Sequence, residues 1–229
     1  MKKNLVARGV SLCHILLALA LLTTISPAAD AAPKKKFFIE DFSGTGIDPD
    51  SMNKLNFLGA STAVVADGQV FLDNGDYLTT EGLHEFEGKV IVVEARLVGP
   101  SSNRTTIVSL IDSDNGQRLD VGDTSYGANG LFYTVTDTAG NGLPGANQVY
   151  FGGTTDQYRD YRITLSKNKL MLERGATIDT LTERHEVVVP FSPVGRRFYL
   201  RINTGCCDGF YSPSYFDWVS VRVYKHDHE

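Results

Sequence analysis

Read for its apolar and polar positions alone, the chain is a series of short alternating runs. KVIVVEARLV (89–98), TTIVSLID (105–112), GLFYTVTD (130–137), DYRITLS (160–166), KLMLERG (169–175), HEVVVPF (185–191), RRFYLRIN (196–203) and FDWVSVRVY (216–224) are rich in β-branched and aromatic residues. Such residues suit a pleated, half-buried surface. Clusters that favour turns separate the runs: DNGD, GPSSN, DSDNG, AGNGLPG, SKN and SPVG. Beyond the N-terminal apolar run, no stretch keeps a helical period between caps for the length a helix needs. Many short strands with turns at short intervals predict an all-β fold, a jelly-roll sandwich of two antiparallel sheets. No internal repeat or linker divides the run of strands, so one domain over 37–225 is expected, with a polar tail at 226–229.

Alternation also assigns faces. In RFYLRIN, Phe198, Leu200 and Ile202 share one side and Arg197, Tyr199, Arg201 and Asn203 the other. The first set is expected in the core. The second is either an ordinary solvated face or the lining of an open groove, with Tyr199 beside Arg201 placed to touch a sugar.

Composition changes the picture at the ends. The chain opens on Lys2, Lys3 and Arg8, runs through ILLALALL (15–22) and reaches Ala29, Asp30 and Ala31. A basic start, a short apolar stretch and small residues are the layout of a signal peptide, so removal of residues 1–31 is expected. No later segment approaches the roughly 18 apolar residues of a membrane span. The expectation is a secreted protein, periplasmic or extracellular, with residues 32–36 as a short leader made basic by Lys34, Lys35 and Lys36. The formal net charge is −5, and loss of the N-terminal cations makes the domain more acidic. Nothing suggests nucleic acid, and a neutral ligand, or one bridged by a cation, fits this balance better than a polyanion.

An oxidising destination frames the cysteines. Cys13 leaves with the signal peptide, while Cys206 and Cys207 stand side by side in INTGCCDGFYSP. Adjacent Cα atoms lie about 3.8 Å apart, closer than the roughly 4.4 Å at which ordinary bridges begin. A bridge between them encloses no chain, so its value is a stiffened turn and not loop entropy. Two reduced thiols, intermolecular bridges or a soft-metal site are the alternatives; zinc, however, wants about four ligands.

Four segments together resemble the laminarinase and lichenase family of glycoside hydrolases. FFIEDFSGTGIDPD (37–50) is similar to that family's opening and ADGQVFLDNG (66–75) to its second strand. DYRITLSKNKLMLERG (160–175) resembles its central hairpin, and YFDWVSVRVY (215–224) its closing strand. The resemblance runs in order along nearly the whole mature domain and implies the concanavalin A-like jelly roll.

It also implies where an active site should lie. The family carries E-x-D-x-E on one strand, because alternate positions share a face and retaining hydrolysis needs two carboxyls about 5–5.5 Å apart. The matching stretch here is RLDVGD (118–123). Arg118 stands at the nucleophile position, Asp120 keeps the central acid and Gly122 replaces the acid/base. An arginine cannot attack an anomeric carbon and a glycine cannot give up a proton, so no catalytic residue carries over.

A structural calcium is the second implication, held by the backbone carbonyls of Asp41 and Gly68 and by the Asp217 carboxylate, hard oxygen donors of the kind calcium takes. Asp217 as a strand-end acid capping amides is the plainer reading. DSDNG (112–116) lacks the closing Glu of a calcium loop and reads as a hairpin turn.

With scaffold retained and acids lost, the leading expectation is a non-catalytic, lectin-like domain that binds a polysaccharide or other glycan on a concave sheet. Arg118, Asp120, Tyr199, Arg201 and Asn203 are its candidate contacts, and Cys206 with Cys207 forms a disulfide-stiffened rim. A hydrolase or lyase with relocated acids, drawn from Glu94, Asp120 or Asp123, is the alternative. An envelope or matrix structural protein is the third.

Overall fold

In a computed structural model of the chain, the described residues are 35–43, 58–59, 63–73, 76–98, 104–124, 130–150, 157–203 and 214–225. They form strands and no helix, and none of them belongs to a helix long and apolar enough to cross a membrane. The first strands are β1 (Lys35–Glu40), β2 (Leu58–Gly59), β3 (Val64–Ala66), β4 (Gln69–Leu72), β5 (Tyr77–Thr79) and β6 (Phe86–Glu87). There follow β7 (Val90–Val98), β8 (Arg104–Asp112), β9 (Arg118–Thr124), β10 (Gly130–Thr136) and β11 (Gly142–Tyr150). The chain continues through β12 (Arg159–Ser166), β13 (Lys169–Gly175), β14 (Leu181–Val188), β15 (Arg197–Asn203) and β16 (Ser214–Tyr224).

Two antiparallel sheets result. Sheet I runs β14-β13-β12-β7-β16-β4-β3, with β1 also paired to β16. Sheet II runs β11-β10-β9-β8-β15-β5-β2, with β6 also paired to β15. All pairs are antiparallel, so the jelly-roll sandwich expected from alternation is the observed architecture.

The core lies between the sheets. Ile91, Val93, Ala95 and Leu97 of β7 and Val219, Val221 and Val223 of β16 face Leu119 and Val121 of β9 and Phe198, Leu200 and Ile202 of β15 across a single apolar cluster. Each large side chain so buried is worth roughly 1.5–3 kcal/mol. β7 is buried on both faces: its outward Glu94 is covered by Arg162 of β12 and Arg222 of β16, which both pair with its carboxylate.

Two local features set the register. The β3–β4 hairpin turns on Asp67 and Gly68, both at positive φ (54° and 75°), the geometry that favours Asp-Gly in two-residue turns. β16 carries a bulge at Asp217, where its pairing with β7 shifts between Phe216 and Trp218. The bulge lets Phe216 and Val219, three positions apart, both reach the core.

Several boundaries differ from the sequence reading. Lys35 and Lys36, read as leader, begin β1 and pair with Tyr224 and Val223. The strand expected at 185–191 is observed as Leu181–Val188. β11 occupies part of AGNGLPG and beyond, a stretch read as a turn. Residues 1–34 and 226–229, which include the signal peptide and polar tail of the sequence reading, lie outside the described residues.

Candidate functional site

Because Leu119 and Val121 enter the core, Arg118, Asp120 and Gly122 are the outward positions of β9, and by the same alternation Tyr199 and Arg201 are outward on β15. Register then aligns them. Across sheet II one row reads Thr79, Arg201, Ser109, Asp120 and Thr134, from β5 through β15, β8 and β9 to β10. The next row reads Tyr199, Ile111, Arg118 and Thr136. The structure thus brings four of the five sequence candidates onto one face. Asn203 pairs with Tyr77 at the end of β15, and its side chain lies outside the described residues, as do Cys206 and Cys207.

Although this face points away from the core, its floor is screened from solvent. Asp120 is 2% exposed and Ser109 0%. The Asp120 carboxylate accepts the Ser109 hydroxyl at Oδ1 and Arg118 Nε at Oδ2, the latter over 2.7 Å. Its pKa is raised above the ordinary carboxylate range. Burial is the dominant cause, opposed by the Arg118 charge, by hydrogen bonds from Ser109 and Arg118, and by the Arg201 charge. Asp120 is therefore a carboxyl inclined to hold its proton.

Beside it, Arg201 lies over the Tyr77 ring, 4.4 Å from the centroid. Its nearest carboxylate among the described residues is Glu81, at 3.9 Å and largely exposed, a contact of small energy. The Arg201 Nε is buried and finds no acceptor among the described residues. Tyr199 has its pKa raised, by burial first and then by Glu81, against the charges of Arg201 and Arg118.

Sequence reasoning missed Ser109, Thr134, Thr79 and Tyr77. Ser109 had a signal, being a polar residue inside the apolar run IVSLI. Tyr77 and Thr79 belong to a three-residue strand whose sequence carries too little pattern to be read.

Of the acids considered for a relocated catalytic pair, Glu94 and Asp120 lie on different sheets. Glu94 sits in sheet I, on its outward face, with Arg162 Nε at 2.7 Å. Asp123 pairs through its backbone with Thr105 and Leu131. Asp120 is thus the acid of this group that the structure places on the sheet II face.

The positions expected to hold calcium converge along one edge of β16. β1 ends at Glu40 opposite Val219, and β4 begins at Gln69, with Val70 opposite Phe216, so Asp41 and Gly68 flank the stretch facing Asp217. The carboxylate is already engaged, however. Asp217 Oδ1 accepts Gln69 Nε2 at 2.6 Å and Oδ2 accepts Arg96 Nε at 3.1 Å. Arg96 reaches on to Asp160 at 2.8 Å and to the Ala176 carbonyl at 3.3 Å. A divalent ion on Asp217 would face a guanidinium at contact distance. The residues present fit a guanidinium brace better than calcium.

No protein-family model matches the chain, nor does any curated protein. Solved structures do. A laminarinase from Flavobacterium sp. UMI-01 superposes with TM-score 0.59 at 16% identity, over 82% of this chain and 99% of that one. An endo-beta-1,3-glucanase from Pyrococcus furiosus gives TM-score 0.62 at 16% identity, over 86% and 97%. The CBM2 module of an evolved Dit from Lactobacillus casei BL23 phage J-1 gives TM-score 0.53 at 13% identity, over 86% and 99%. The chain has the concanavalin A-like jelly-roll fold seen in the laminarinases.

Proposed function

We propose that the domain binds a polysaccharide on the outward face of sheet II and does not hydrolyse it. The observation that carries the reading is the outward triplet of β9, filled by Arg118, Asp120 and Gly122. Double-displacement hydrolysis asks one carboxylate to attack and a second carboxyl to donate a proton. In this triplet the central carboxyl is buried against Ser109 and Arg118, and its neighbours have other chemistry. The same face offers what a sugar needs for binding: charged donors at Arg118 and Arg201, a hydroxyl at Thr134, and the aromatic side chain of Tyr199. Similar folds include catalytic glucanases and a CBM2 module, so the site residues, and not the fold, support the choice. Export to the cell exterior belongs to this reading, in keeping with the signal-peptide layout of residues 1–31.

The test is a glycan array probed with the domain, with and without chelator and mild reductant, beside a reducing-sugar assay on every glycan retained. Retention without sugar release supports the reading. Release of oligosaccharide overturns its non-catalytic half, and retention of no glycan overturns it entirely in favour of a structural role.

A further inference from the structure

The polysaccharide reading leaves open what kind of chain is bound, and the charges of the sheet II face narrow it. Two guanidinium groups stand on strands β9 and β15, separated by β8, so their backbones are about 10 Å apart. Arg118 meets Asp120 through Nε; its two terminal nitrogens have no carboxylate among the described residues. Arg201 has the exposed Glu81 at 3.9 Å, and its buried Nε has no acceptor among the described residues. Against these two cations the floor supplies one carboxyl, Asp120, screened from solvent and hydrogen-bonded to Ser109.

From this geometry we infer that the ligand is an acidic glycan, a chain bearing carboxylates or sulfate esters, whose anionic groups are taken by Arg118 and Arg201. This rests on the polysaccharide reading above. A guanidinium presents two parallel N–H donors to a carboxylate or sulfate, which a neutral sugar hydroxyl cannot match. Stacking on Tyr77 fixes the plane of Arg201 in advance, so little side-chain freedom remains to be lost on binding. Asp120 offsets at most one of the two cations: its carboxyl is held by Arg118 Nε and the Ser109 hydroxyl, which leaves Arg201 to face the ligand. The overall acidity of the chain, formal charge −5, favours neutral partners only at a distance. Beyond roughly 10 Å at physiological salt that field is screened, and the two local arginines decide.

The test uses affinity electrophoresis and titration calorimetry with four probes: laminarin as a neutral glucan, polygalacturonate and alginate as carboxylated chains, and carrageenan as a sulfated one. The expected result is retention of a charged probe, weakened by salt, with Arg201→Gln lowering affinity roughly tenfold or more. Arg118→Gln should act in the same direction, and Lys169→Gln on sheet I should leave binding unchanged. Thermal unfolding of Arg201→Gln guards against misfolding; the ion-pair partner of Arg201 among the described residues is the exposed Glu81, so the melting point should stay near that of the parent. Carboxylated against sulfated probes separate the two sources of negative charge. Laminarin retained in place of the charged chains overturns this inference while sparing the polysaccharide reading. Charged chains held equally by both arginine variants overturn it as well, and retention of no probe counts against both.

Discussion

Asp120→Asn tests the central electrostatic claim, that burial and not the ion pair dominates this carboxyl. Asp120 accepts the Ser109 hydroxyl at Oδ1 and Arg118 Nε at Oδ2. Asparagine keeps the shape and satisfies both. With its amide oxygen toward Arg118, its amide nitrogen donates to Ser109 Oγ, whose hydroxyl rotates away. What is lost is the charge assistance at Arg118, about 1 kcal/mol. What is gained is relief from holding a carboxylate out of water, the larger influence on its pKa. The variant should therefore unfold within about 1 kcal/mol of the parent at neutral pH. Asp120→Ala, by contrast, leaves a void and takes from Arg118 its carboxylate, and should cost about 2–3 kcal/mol.

The pH dependence carries the sign. A carboxyl with a raised folded pKa binds its proton more tightly folded than unfolded. Its stabilising share is full below the unfolded pKa and is lost as pH rises through the folded one. Asparagine has no proton to lose. Urea unfolding of both proteins across an acidic to neutral series should show the parent gaining on the variant in acid and losing ground toward neutral pH. If the parent's advantage instead grows as pH rises, and Asp120→Asn costs more than about 3 kcal/mol at neutral pH, the Arg118 pair outweighs burial and the reasoning fails.

Two further outcomes are expected. Arg96→Met should destabilise by about 3 kcal/mol in urea unfolding, because Asp160, 5% exposed, loses its cation, while calcium or chelator should leave the parent's melting temperature unmoved; a melting point that follows calcium would show that an ion, not Arg96, braces Asp217. N-terminal sequencing of protein recovered outside the cytoplasm should begin at Ala32, and a chain that still begins at Met1 there would remove the signal-peptide reading.

The sandwich was legible because its central strands alternate so strongly: the RFYLRIN pattern alone separates Phe198, Leu200 and Ile202 from Tyr199 and Arg201, and the structure keeps that separation. Edge strands were harder. β11 begins with Gly142, Leu143, Pro144 and Gly145, residues that punctuate turns elsewhere. At the edge of sheet II a proline without an N–H interrupts no inner ladder, and the pairing of β10 with β11 slips there. β14, the edge of sheet I, carries Glu183, Arg184, His185 and Glu186, charges that guard an edge but hide a strand. The site was half legible. Arg118 and Asp120 followed from the resemblance of RLDVGD to one strand of a known family and Arg201 from alternation in RFYLRIN, whereas Ser109 and Tyr77 join them only through register between strands distant in sequence. The Arg96 brace could not be read at all, since it gathers residues 64 and 121 positions away.

The place of β16 governs when the domain can form. The last of the described strands in chain order, it lies inside sheet I, with β7 on one side and β1 and β4 on the other. Until residues 214–224 are available, the two halves of that sheet have nothing to join them, and β7 keeps an open edge. Contacts of such long sequence separation make folding slow, and chains waiting with open edges are the ones that pair with each other. Sheet I cannot join its halves before β16 arrives, and a chain that lacks the 11 residues of β16 is expected to stay open.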